Sequence, residues 1–226
     1  MLIMEKPPSW RYLPSLLKED TIVLLIQNGI GVEDDVQAMF PGVQLAAGLA
    51  FICSAKTEPG VVNHQFYGSI NIGNYSCRDI KRYEMMLADF EDSGVSVRNV
   101  EYNEARWRKA VWNMPFNGMT VVMNTQTSNL LSVPEMRRIV HNQMLEVIHA
   151  AWACGVENIS ENFADAMIKS TLDMVPYSPS MKLDFDFHRP MEINYLYTRP
   201  VQIAHNHGFI MHQMQMLEAQ LKFLAR

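Results

Sequence analysis

Lys109, Asn113 and Asn117 recur every four residues through W-R-K-A-V-W-N-M-P-F-N, and Glu192 stands far downstream in R-P-M-E-I-N-Y. Residues four apart share one face of a helix. A lysine on an inward face is unfavourable unless a partner or ligand solvates it. Desolvation lowers its pKa and a nearby carboxylate raises it. Poised between the two, it can serve as a general acid or hold an anionic substrate. The plain alternative is a side chain that snorkels to water beside Arg106 and Arg108. Asparagine is a mediocre helix former, so Asn113 and Asn117 on that face ask for partners, either a ligand or a neighbouring loop. Glu192 can orient a substrate hydroxyl or pair with Lys109. It can equally be a charge favourable to the start of a helix. Ser180, in the polar crossing that also holds Asp184, is either a carboxylate-binding hydroxyl or a turn residue.

A second group follows the apolar run Thr21 to Ile26 as Gln27-Asn28-Gly29-Ile30-Gly31. Ligands of open α/β sheets bind beyond the carboxyl ends of strands. The Asn28 amide can both donate and accept there, and Gly29 and Gly31 permit close approach or positive φ. An ordinary Asn-Gly turn is the competing interpretation. No G-x-G-x-x-G and no P-loop occurs in the sequence. The seven histidines are dispersed without H-E-x-x-H, so no metal site is expected. Cys53, Cys77 and Cys154 are few, odd in number and far apart, which suggests buried hydrophobes rather than disulfides or a zinc site.

These groups must be carried by a chain of 226 residues, enough for one large domain or two small ones. Charged residues are only 19% against 48% apolar, which favours much buried surface, a subunit interface included. The net charge of −5 without a long basic run argues against nucleic acid as a partner. The start M-L-I-M-E-K-P-P-S-W lacks the form of a signal peptide, and no apolar run is long enough for a membrane span. A cytoplasmic protein is the expectation. Seventeen methionines suit flexible core filling.

Residues 14–20 read as the end of a helix and a turn, and 21–26 as a strand buried on both faces, the pattern of a parallel sheet. Val32 to Phe40 reads as a helix and Val43 to Phe51 as a strand. Gly60 to His64 and Ser69 to Gly73 read as a separate strand pair, Ile80 to Ser93 as a helix closed by Gly94, and Val95 to Val100 as a strand. From Tyr102 nearly everything reads helical: Asn103 to Val122, Pro134 to Cys154, Ile159 to Asp173 capped by Ser160, Glu192 to His207 interrupted by Pro200, and Gln213 to Leu224, with a polar crossing at Val175 to Asp184. The boundary near residue 101 divides an α/β portion, 1–101, from an all-α portion, 102–226.

Taken together, L-L-I-Q-N-G-I-G at 24–31, P-G-V-V-N-H at 59–64, G-S-I-N-I-G at 68–73, the 107–117 segment, S-M-K-L-D at 180–184 and R-P-M-E-I-N-Y-L at 189–196 resemble the ketopantoate reductase (2-dehydropantoate 2-reductase) family. The resemblance implies an NADPH-dependent reduction of a small 2-oxo acid to a 2-hydroxy acid on the route to pantothenate. It implies a Rossmann-like nucleotide-binding domain, a helical domain of 6-phosphogluconate-dehydrogenase type that binds substrate and dimerises, and a homo-oligomer. It assigns Lys109 and Glu192 to catalysis, Asn113, Asn117 and Ser180 to substrate, and Asn28 and Gly29 to the cofactor. With no G-x-G-x-x-G ahead of Gln27, the expectation is a truncated Rossmann-like parallel sheet, the chain matching the family's latter part with most of the N-terminal Rossmann region missing. A catalytically inactive fragment or homologue, acting as a small-acid-binding or structural protein, is the alternative. Three positions depart from the family pattern: Tyr177, Thr198 and His212.

Overall fold

The computed structural model describes residues 13–174 and 176–226, so the apolar start and Val175 of the expected crossing lie outside the described residues. The chain divides into two compact units, one of residues 1–28 and 32–105, the other of residues 29–31 and 106–226.

The first unit holds α1 (Leu13–Leu16), β1 (Ile22–Leu25), α2 (Val32–Met39), β2 (Gln44–Glu58), β3 (Val61–Asn74), α3 (Ile80–Asp92) and β4 (Ser96–Val100). The strands lie in the order β1-β2-β3-β4. β1 pairs parallel with β2, β2 antiparallel with β3, and β3 parallel with β4. The sheet is therefore mixed, which corrects the parallel sheet expected from the buried look of 21–26. Connection length explains the difference. Helices α2 and α3 return the chain for parallel pairing, whereas Pro59-Gly60 alone joins β2 to β3, and so short a link permits only antiparallel strands. Gly60 has φ +81°, the left-handed value that the second central residue of a Pro-Gly turn takes.

The two short strands expected at 60–64 and 69–73 are thus one strand. Its register shifts, with Tyr67 at φ 61° and Gly68 at φ 147°, are bulges that break the period-two pattern. Ala46, Ile70 and Ile72 pack with Tyr83 and Cys77 beneath α3, and Asp79 caps α3 by accepting from the Arg82 amide.

The second unit is built from the body of α4 (Tyr102–Val122), then α5 (Thr127–Ser132), α6 (Pro134–Ala153), α7 (Asn162–Leu172), α8 (Ser180–Asp186), a π-helical turn (Asn194–Thr198), α9 (Arg199–Asn206) and α10 (His212–Leu224). From Trp107 to Val121, α4 is buried almost all round, as expected of a helix at the centre of its unit. Val111, Met114, Phe116, Met144, Ile148, Tyr197 and Leu217 make the middle of its core.

Two details differ from the sequence reading. Glu161, not Ser160, precedes α7, and it offers no side-chain cap. The crossing contains α8. The disturbance expected at Pro200 is present as the π-helical turn: helical backbone runs without a break from Ile193 to Asn206, and it widens over Asn194–Thr198 just ahead of Pro200, which has no N–H to give. Among the described residues no helix is long and apolar enough to cross a membrane.

Candidate functional site

α4 places Lys109, Asn113 and Asn117 on one face, as their spacing requires. Lys109 is half-buried. Loss of water around it, then the Arg106 guanidinium one turn earlier, lower its pKa from 10.5 to about 7, with Glu192 pulling the other way. The opposing influence of Glu192 puts the two expected catalytic groups in one electrostatic neighbourhood. Glu192 lies just ahead of the π-helical turn, half-buried. A lysine of this kind gives up and regains a proton near neutrality, as a general acid needs.

Arg106 is the residue that spacing misjudged. It is 3% exposed, not a solvent-facing companion. The available signal was its own position three residues ahead of Lys109, on nearly the same face.

Asn113 and Asn117 are both buried. Asn117 is fully engaged by protein: its Nδ2 donates to the Asn113 carbonyl at 2.9 Å, and its Oδ1 accepts from the Met181 amide at 3.0 Å. It thereby holds the first turn of α8, whose first residue is Ser180, exposed. Two residues on, Lys182 is buried and paired with Asp186. Asp184 meets Arg189 at 2.9 Å, and burial raises its carboxyl above the ordinary value against the pull of that arginine.

Gly29 has φ +101°, and a Cβ there would lie 2.5 Å from both the Cβ and the carbonyl oxygen of Tyr195. Ile30 N–H donates to that same carbonyl at 2.9 Å. Residues 29–31 therefore dock on the π-helical turn, and glycine is required at position 29 for close approach as well as for φ. Asn28, half-buried, follows β1 in the first unit. The turn between β1 and α2 leads into Glu33, Asp34 and Asp35 in the first turn of α2. Three carboxyl groups at a helix N-terminus disfavour a phosphate there.

Two descriptions of families match the chain: "Ketopantoate reductase PanE/ApbA" over residues 6–76 and "Ketopantoate reductase PanE/ApbA C terminal" over residues 101–225. The 2-dehydropantoate 2-reductase of Nostoc sp. is 37% identical over 95% of this chain and 69% of its own length. The structure of 2-dehydropantoate 2-reductase from Geobacter metallireducens superposes with a TM-score of 0.89 at 34% identity, covering 95% of this chain and 73% of that one. That from Methylococcus capsulatus gives 0.87 at 32% identity, over 98% and 71%.

These matches correct the expectation of a chain that lacks most of the N-terminal Rossmann region. The N-terminal family description applies to residues 6–76, and the structural likeness runs through both units. A missing glycine motif had stood for a missing domain, but the family description of that domain matches residues 6–76, which include strands β1, β2 and β3. With family descriptions matching on both sides of residue 100 and a relative above one-third identity, the chain belongs to the ketopantoate reductase PanE/ApbA family.

Proposed function

We propose that the chain is an oxidoreductase of the 2-dehydropantoate 2-reductase kind, reducing a small 2-oxo acid to the 2-hydroxy acid in pantothenate biosynthesis. Lys109 carries the proposal, because its pKa of about 7 suits a proton donor at neutral pH. The reduction places negative charge on the former carbonyl oxygen, and Lys109 Nζ delivers the proton that turns this alkoxide into a hydroxyl. Glu192 holds the hydroxyl and keeps Lys109 partly protonated. Asn113 and the Ser180 hydroxyl bind the substrate's polar end, while Asn117 acts from behind by fixing α8. Arg106 adds positive potential for a carboxylate substrate.

NADPH, when bound, supplies the hydride. Asn28 is the group assigned to its nicotinamide end, beside Gly29, where a side chain would collide with Tyr195. The acidic start of α2 does not fit the dinucleotide phosphates. The β1–α2 turn is therefore not assigned to hold them. We assign residues 1–101 to the nucleotide-binding domain and 102–226 to substrate binding and self-association. Met123, Val133, Met216 and Phe223 on the helical unit are exposed apolar side chains that a second copy can cover.

The test is NADPH oxidation on addition of 2-dehydropantoate. Turnover by the wild type, falling by about 10²–10⁴-fold in Lys109→Ala with the circular dichroism unchanged, is the expected result. A Lys109→Ala protein as active as the wild type removes the proposed proton donor. A second reading, a small-acid-binding protein without turnover, draws on the same three carboxylates of α2. It predicts stabilisation by the 2-oxo acid and none by NADPH.

A further inference from the structure

Pro115 lies inside α4 and lacks the N–H that would bond the Val111 carbonyl. Just beyond this break a side chain from another element enters the backbone of the helix. The Tyr197 hydroxyl donates to the Met114 carbonyl at 2.6 Å and is itself hydrogen-bonded to the Gly118 amide. Tyr197 is fully buried, and burial pushes its phenol far above the ordinary value, so it stays neutral and keeps its proton for Met114. Gly118 makes the approach possible. A Cβ there would lie 2.7 Å from the Tyr197 hydroxyl and would also meet the Leu217 side chain. Tyr197 belongs to the π-helical turn that follows Glu192, whereas Lys109 lies on α4 ahead of the break. Single π-helical turns inside helices are uncommon and recur at functional positions.

We infer that Tyr197 is a positioning residue for the Lys109–Glu192 pair: its hydroxyl pins the Pro115 break of α4 to the turn that follows Glu192, and so fixes the separation and dryness of the two charged groups. The inference rests on the proposed role of Lys109 as proton donor. Charge coupling falls with distance and with admitted water, so a Tyr197 that only filled space would leave the behaviour of Lys109 unchanged once replaced by phenylalanine.

The experiment is competitive acetic anhydride labelling of Lys109 in the whole chain, read by mass spectrometry from about pH 5 to about pH 11. Tyr197→Phe is expected to move the Lys109 midpoint upward, toward ordinary lysine, by about half a unit or more, because water returning to the lysine relieves the larger, desolvating influence and outweighs the weakened pull of Glu192. That is about a threefold change in the ratio of unprotonated to protonated lysine at a given pH. Gly118→Ala displaces the hydroxyl without removing it and gives the same shift, so the test survives poor folding of either variant. Trp152→Phe, which removes the indole bond to the Ile159 carbonyl, leaves the midpoint in place.

An unmoved midpoint in folded Tyr197→Phe, or an equal shift in Trp152→Phe, overturns the inference. Labelling needs no turnover. A shifted midpoint in a chain that fails to reduce 2-dehydropantoate therefore keeps the role of Tyr197 and removes only the proposed reaction.

Discussion

The β2–β3 pair and the α4 helix are both long elements, yet they treat their side chains in opposite ways. Beyond Phe51 the two strands turn Ile52, Val61, Val62 and Tyr67 to water. Their pairing is held mainly by backbone ladders, across several register shifts. α4 has a proline where its ladder needs a donor, and its polar backbone is engaged by side chains: Asn117 on Asn113, Thr120 on Phe116 at 2.6 Å, and Tyr197 on Met114. The difference teaches where precise chemistry can sit. A ladder in solvent tolerates substitution, whereas a backbone held by buried hydrogen bonds fixes side chains such as Lys109 and loses more when one bond is removed.

That contrast can be broken in several ways. The largest expected effect is on turnover: Lys109→Ala lowers kcat/KM for the 2-oxo acid by about 10²–10⁴-fold, while Val62→Ala leaves it unchanged. Equal losses from both would erase the distinction. Next come two glycines with similar backbones. Gly29→Ala, with φ +101° and Tyr195 at 2.5 Å, destabilises by about 2–4 kcal/mol in urea unfolding. Gly60→Ala, with φ +81° and nothing within 4 Å, costs only about 1–2 kcal/mol. Similar values would mean that strain in φ, not contact with the π-helical turn, governs both. Asn117→Ala, which leaves the Met181 amide without its acceptor, is expected to lose about 1–3 kcal/mol. Val62→Thr on the exposed strand stays within about 0.5 kcal/mol.

The pH dependence of stability sharpens the same point. Lys109 has a folded-state pKa below its unfolded value, so between about 7 and 10.5 the unfolded chain binds more protons. Its burial therefore opposes folding most fully below pH 7, and stability rises with pH through that window. Lys109→Met removes this rise. The difference between wild-type and variant unfolding free energies, followed by denaturation from neutral to alkaline pH, checks it.

Much of α4 was legible because a period of four survives translation into a helix, and Lys109, Asn113 and Asn117 do share one face. The glycines after β1 announced an unusual backbone for the same reason: φ above zero has few occupants. Strand direction was not legible. Bulges near Ile52 and Tyr67 break the alternation that would have joined 60–64 to 69–73. The two roles of the asparagines also escaped, since spacing cannot tell a ligand-binding amide from one that caps α8. Tyr197 gave no local sign at all. Its partner carbonyl is on Met114, and only the fold brings them together. The absent glycine motif misled in the other direction, because a phosphate-binding turn is one part of a domain whose sheet and helices can be recognised without it.

The most direct test of Lys109 as a proton donor is the pH profile of kcat/KM for 2-dehydropantoate reduction at saturating NADPH. The donor must be protonated, so activity is expected to fall as pH rises through about 7. A profile flat to about pH 9, where an ordinary lysine is still protonated, would contradict it.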